Sequence, residues 1–183
     1  MLETDFVEFF DLNKLKQIQA FLGNSKIVVL KTVKVKEEIK DLKEQFPKLE
    51  FGTWINSKNE RMIQSMGSQT KYLVVPAETL QDYQFSVNHK QVQFIVPNLK
   101  RKLELDLQLA GLLGNAEKII LIPFSEFLTA KPFERAKMIE NFKKLSKICK
   151  KAKIEMHWIS LAQNEYDLRN MKDFKNLESL IQK

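Results

Sequence analysis

"KYLVVPAETLQDYQFSVNHKQVQFIVP", residues 71–97, decides the fold. Two apolar runs, KYLVVP (71–76) and VQFIVP (92–97), flank a helix-forming stretch at 78–89. Both runs are rich in Val, Ile and Phe and lack the polar alternation of a half-exposed strand, as expected of strands buried on both faces. A strand, a crossover helix and a second strand place the two strands parallel in one sheet.

The same rhythm extends in both directions. The further runs are FVEFF (6–10), KIVVL (26–30), LEFGTWI (49–55), KIILIPF (118–124) and EMHWIS (155–160). Helices are predicted over 11–23, 34–46, 58–68, 78–89, 99–113, 132–153 and 165–181. Seven strand–helix units in succession imply an α/β fold with about seven parallel strands. This pattern suits either a small, incomplete (β/α) barrel or a doubly wound sheet, because sheet curvature leaves no mark on periodicity.

Composition agrees with a folded chain. At 183 residues, with 44% hydrophobic and 29% charged residues, residues 1–183 make one domain with a substantial core. Five Gly and five Pro leave little room for linkers. The N-terminal stretch MLETDFVEFF is acidic where a secretory leader is basic, and no apolar run is long enough for a bilayer. The single cysteine, Cys149, excludes internal disulfides and cysteine-rich zinc sites. A cytoplasmic protein without a membrane partner is therefore expected.

Charge is concentrated in one place. Residues 131–153 hold nine Lys or Arg against two Glu, a surplus of seven that equals the net charge of the whole chain, +7. Elsewhere 21 basic residues face 21 acidic ones. Phe133, Ala136, Ile139, Phe142, Leu145, Ile148, Cys149 and Ala152 recur at spacings of three and four, and are expected to form the stripe that packs on the sheet. Lys143, Lys144, Lys147, Lys150 and Lys151 occupy the remainder. The helix dipole favours cations in the last turn, but pairs such as Lys143/Lys147 and Lys147/Lys151 repel one turn apart. A polyanion-binding face is the expected purpose, with nucleic acid ahead of membrane.

Catalytic signatures are missing. No Gly-rich phosphate loop occurs. A metal-dependent hydrolase on a (β/α) barrel gathers histidines and carboxylates at strand C-termini, and this chain has two histidines. His89 ends a helix before a strand, on the wrong side of such a barrel, and His157 lies inside a strand as a packed residue. Cys149 falls on the apolar stripe, and Trp54 and Trp158 in strands are expected to fill core. Ser160 ends a strand with no general base in view. No catalytic and no metal-binding residue is assigned.

The C-terminal third carries a resemblance. From residue 119 the order is a strand, a loop with Leu128, then Pro132, Glu134, Arg135 and Ala136 opening a basic helix. A strand ending in Ser160 follows, then Ala162, Gln163, Asp167, Arg169, Asp173 and Leu177. These residues, in order and at matching spacing, resemble ribonuclease P protein component 3, the archaeal relative of the eukaryotic p-thirty subunit. Upstream, VQFIVPNLKRKLELDLQLAGLL (92–113) is similar to that family's strand and following helix, with Gln93 and Asp106-Leu107 where members often carry Asp and Asp-His. Members usually add one more strand–helix unit.

The resemblance implies a TIM-barrel-like fold related to metal-dependent phosphoesterases but without their metal site. It also implies a subunit of the ribonucleoprotein that removes 5′ leaders from precursor tRNA. The implied partners are ribonuclease P RNA, precursor tRNA, protein component 2 and the other ribonuclease P proteins. Catalysis and Mg²⁺ belong to the RNA, and no cofactor is expected on the protein. Lys100, Arg101, Lys131, Arg135, Lys143, Lys147, Lys150, Lys151 and Arg169 are the expected RNA-binding residues. Arg169 lies on the rim after the strand ending at Ser160, where it either contacts RNA or pairs with Asp167 or Asp173. Two other functions stay open: a free-standing metal-dependent phosphoesterase using Lys100, Arg101 and Lys131 for phosphate, and a general RNA-binding module. A sheet that fails to close is expected to leave an edge or an apolar patch for a protein partner.

Overall fold

In the computed structural model, residues 4–8, 11–15, 17, 26–33, 36–56, 60–169, 173–174 and 176–177 are described. The strands are β1 (Thr4–Val7), β2 (Lys26–Lys31), β3 (Glu50–Trp54), β4 (Leu73–Ala77), β5 (Val92–Pro97), β6 (Ile119–Pro123) and β7 (Glu155–Ile159). The helices are α1 (Lys36–Gln45), α2 (Glu60–Gly67), α3 (Leu80–Asn88), α4 (Leu107–Asn115), α5 (Phe124–Thr129) and α6 (Pro132–Ala152). Much of the helices expected over 11–23 and 165–181 lies outside the described residues, although residues 12–15, 17, 173–174 and 176–177 are helical.

All strands are parallel and their spatial order is β1-β2-β3-β4-β5-β6-β7. A doubly wound sheet reverses its strand order partway; this one never does, and it curls into a nearly closed barrel. Side chains alternate between two apolar environments. Val28 and Leu30 point into the barrel with Phe6, Val74 and Leu121, whereas Ile27 and Val29 face the helix layer. Most positions on both faces of the strands are buried, with Gln93 and Glu155 exposed, which is why the sequence shows nearly continuous apolar runs.

An aromatic trio fills the barrel. The ring centroid of Phe6 lies 5.0 Å from Phe94 and 5.7 Å from Tyr72. Gly52 makes room for it: a Cβ there would sit 2.8 Å from Leu30 Cδ2, Tyr72 Cβ and the Tyr72 carbonyl oxygen. Cys149, Trp54 and Trp158 are buried, as expected. Burial pushes the Cys149 thiol up to about 12, so it behaves as a core residue.

The seam between β1 and β7 has no strand ladder, yet it is clasped at its mouth end. Beyond β7 the Leu161 N–H donates to the Phe6 carbonyl at 2.8 Å, and the Glu8 N–H donates to the Ala162 carbonyl at 2.9 Å. One residue earlier along both segments, the fully buried Asp5 accepts from the Ser160 N–H at 2.6 Å and from Ser160 Oγ at 2.5 Å. The open edge expected from sequence is thus partly satisfied within the chain. Burial raises the Asp5 carboxyl to about 7, against hydrogen bonds that act in the opposite direction.

Two helix boundaries differ from expectation. The helix expected at 99–113 starts only at Leu107, because Asp106 caps it: Oδ1 accepts from the Leu109 N–H at 2.7 Å. Residues 98–106 are loop. The run KIILIPF ends at Pro123, and Phe124–Thr129 form the short, unanticipated α5.

Candidate nucleic-acid interface

Helix α6 has 21 residues and is therefore about 31 Å long. Pro132 occupies its first turn, and the Glu134 carboxylate turns back to accept from the Lys131 N–H at 3.2 Å. At the other end Lys153 adopts a left-handed φ of 57°, and its N–H reaches the Cys149 carbonyl.

The buried face is Met138, Asn141, Phe142, Leu145 and Cys149. This corrects the expected stripe at its start. Phe133 is 84% exposed and Ala136 is exposed, while Met138 and Asn141 take the core positions. The physical reason is rotation. Repeated steps of three fall short of a 3.6-residue turn, so from Phe133 to Phe142 the helix makes about two and a half turns and the two side chains point in opposite directions.

Lys137, Lys143, Lys144, Lys147, Lys150 and Lys151 are exposed on α6. Lys144 pairs with Glu140 at 2.7 Å. Among the described residues, Lys143, Lys147, Lys150 and Lys151 have no ion pair. Helical spacing places these four on one outer side, so the structure brings them together.

The other expected contacts sit elsewhere. Arg135 is held against the end of α5, donating to the carbonyls of Phe127 at 2.8 Å, Leu128 at 3.3 Å and Ala130 at 3.0 Å. Lys131 is exposed at the start of α6. Lys100 and Arg101 stand at the barrel mouth on the loop after β5. Lys100 pairs with Glu126 at 3.3 Å and Arg101 with Glu78 at 2.9 Å. Buried Asn141 fixes that loop from α6, donating to the Leu99 carbonyl at 2.8 Å and the Arg101 carbonyl at 2.7 Å. Arg169 donates to the Tyr166 and Leu168 carbonyls at 2.7 and 2.6 Å and lies 5.5 Å over the Phe124 ring. Asp167 accepts from Asn164 Nδ2 at 2.8 Å.

The barrel mouth opens into a cavity of about 520 Å³ lined by Glu8, Glu78, Glu126 and Asp167, with Lys100 opposing them. Glu8 is engaged by Trp54 Nε1 at 2.6 Å and Gln163 Nε2 at 3.2 Å. His157 is buried in β7, its Nε2 2.8 Å from Glu155 Oε1 but out of hydrogen-bond alignment. His89 closes α3, with Nδ1 2.8 Å from the Phe85 carbonyl oxygen. Among the described residues no three His, Cys, Asp or Glu side chains gather as a metal-binding group. No helix among them is long and apolar enough to cross a membrane.

These features define a nearly closed parallel (β/α) barrel of TIM-like type, with a lysine-faced helix on its outside. A solved structure shares this architecture. A chain in the cryo-EM structure of archaeal ribonuclease P with mature tRNA matches 97% of this chain and 82% of its own length, with a TM-score of 0.77 and 19% identity. No family model matches the sequence, and no curated protein does.

Proposed function

We propose that this chain is a protein subunit of ribonuclease P that supports the catalytic RNA in removing 5′ leaders from precursor tRNA. The observation that carries it is the agreement of fold, across 97% of the chain, with a chain of archaeal ribonuclease P. The lysine side of α6 provides the means. Folded RNA carries dense phosphate repulsion, and a rigid row of cations offsets it, releases counterions and lowers the Mg²⁺ needed for a compact RNA.

In this assignment the RNA holds Mg²⁺ and performs the cleavage, the protein holds no cofactor, and the complex works in the cytoplasm. Protein component 2 and the other ribonuclease P proteins are its protein partners. The barrel mouth does not suit phosphate, because four carboxylates outnumber the two cations there and both cations are already paired, Lys100 with Glu126 and Arg101 with Glu78. The RNA-binding residues proposed for α6 are Lys143, Lys147, Lys150 and Lys151. Lys131, Arg135, Lys100, Arg101 and Arg169 lie beyond this group.

The test is precursor-tRNA cleavage at limiting Mg²⁺, using the RNA alone, with each protein, and with this chain plus component 2. The expected result is no cleavage by the protein alone and a gain when it joins the RNA and component 2. Cleavage without RNA, or no gain on addition, would overturn the assignment.

A further inference from the structure

Residues 131–137, at the start of α6, are all exposed, and the ring of Phe133 is 84% so. An aromatic ring left in water at the head of a strongly basic helix needs a reason. Its surroundings point to one. Phe133, Lys137, Glu140, Lys144, Lys147 and Lys151 follow one another at alternating spacings of four and three, which keeps them on one line along the helix. The ring therefore heads a line of side chains about 27 Å long. In it Lys137, Lys147 and Lys151 are the cations without a carboxylate partner among the described residues, and Lys144 is paired with Glu140. Neither acid nearby disturbs it: Glu134 is turned back to the Lys131 N–H, and Glu140 is neutralised by Lys144.

We infer that Phe133 is a stacking platform for an unpaired base of a single-stranded RNA segment whose phosphates run along this lysine row. The inference rests on the assignment of α6 as the RNA-binding face. Lysines complement phosphates, and the face of an aromatic ring complements a base that has left its stack; the two together are the chemistry of single-strand recognition. Duplex RNA hides its base faces, so it engages the lysines alone. An acidic protein surface with an apolar pocket would suit the same side chains, and loss of such a partner is one outcome of the test.

Affinity for a short single-stranded RNA carrying a fluorescent base analogue, and for a duplex of the same sequence, is measured by fluorescence titration. Phe133→Ala is expected to weaken single-strand binding about tenfold or more and to reduce the stacking quench, with duplex binding unchanged. Phe133→Trp is expected to retain both. Because the ring is exposed, the melting temperature of each variant should match the parent. Unchanged single-strand affinity in Phe133→Ala, with binding lost when Lys143, Lys147 and Lys151 are changed to Glu, overturns the stacking role and leaves the RNA face standing. Binding that survives the lysine changes overturns the RNA face itself. A Phe133→Ala variant that binds RNA normally but loses a protein partner assigns the ring to that partner and also overturns the inference.

Discussion

Asp5 makes the strength of the barrel seam depend on pH. Its carboxyl is fully buried and raised from 3.8 to about 7, chiefly by burial. The folded state therefore holds a proton that the unfolded chain has released, and this favours folding fully below pH 3.8 and progressively less up to about pH 7. At 1.36 kcal/mol per unit, the whole span corresponds to about 4 kcal/mol. About 2–3 kcal/mol of it falls between roughly pH 5 and 8. Asp5→Asn mimics the protonated acid: its carbonyl oxygen accepts from the Ser160 N–H, and its amide faces Ser160 Oγ. Urea unfolding of both proteins across that pH range isolates the effect, since every other titrating group cancels in the difference. The Asn variant should gain about 2–3 kcal/mol relative to the parent as pH rises. A difference that stays flat, or grows in the opposite direction, would refute the protonated clasp.

Three further outcomes follow from the geometry. If the α6 lysines neutralise five phosphates, log affinity for RNA should fall with log salt at a slope of about −3.5 to −4.5, and changing Lys143, Lys147, Lys150 and Lys151 to Glu should abolish binding with an unchanged circular dichroism spectrum. Arg169→Lys keeps the charge but loses the planar group that bonds two carbonyls and covers the Phe124 ring; thermal melts should show it destabilised by about 1–2 kcal/mol, close to Arg169→Ala. Asn141→Ala strips the Leu99 and Arg101 carbonyls of a buried donor, so it should cost about 1–3 kcal/mol and speed amide exchange selectively over residues 98–106.

Much of the fold was legible in the sequence because strands buried on both faces announce themselves as continuous apolar runs. Six of the seven runs became strands. Of the run at 6–10, Phe6 and Val7 belong to a strand that begins at Thr4, while residues 9–10 lie outside the described residues. His157, Cys149, Trp54 and Trp158 became packed residues as expected. The basic helix was legible too, since charge is a local property. Its apolar face was only half legible. Met138 and Asn141 could have been found by following 3.6-residue rotation instead of steps of three, whereas the loop-anchoring role of Asn141 depends on a loop some forty positions away. Asp106 offered a capping signal that marks the later start of α4.

By itself, then, the sequence determined seven parallel strands with helices between them and a local excess of lysine, because burial and charge act residue by residue along the chain. Tertiary structure alone decided that the sheet curls into a barrel and that Lys100 and Arg101 pair with rim carboxylates. It also decided that Asp5 meets Ser160, 155 positions away. Whether a carboxyl is solvated or enclosed depends on what the closing of the barrel brings around it, and no local pattern in the chain encodes that enclosure.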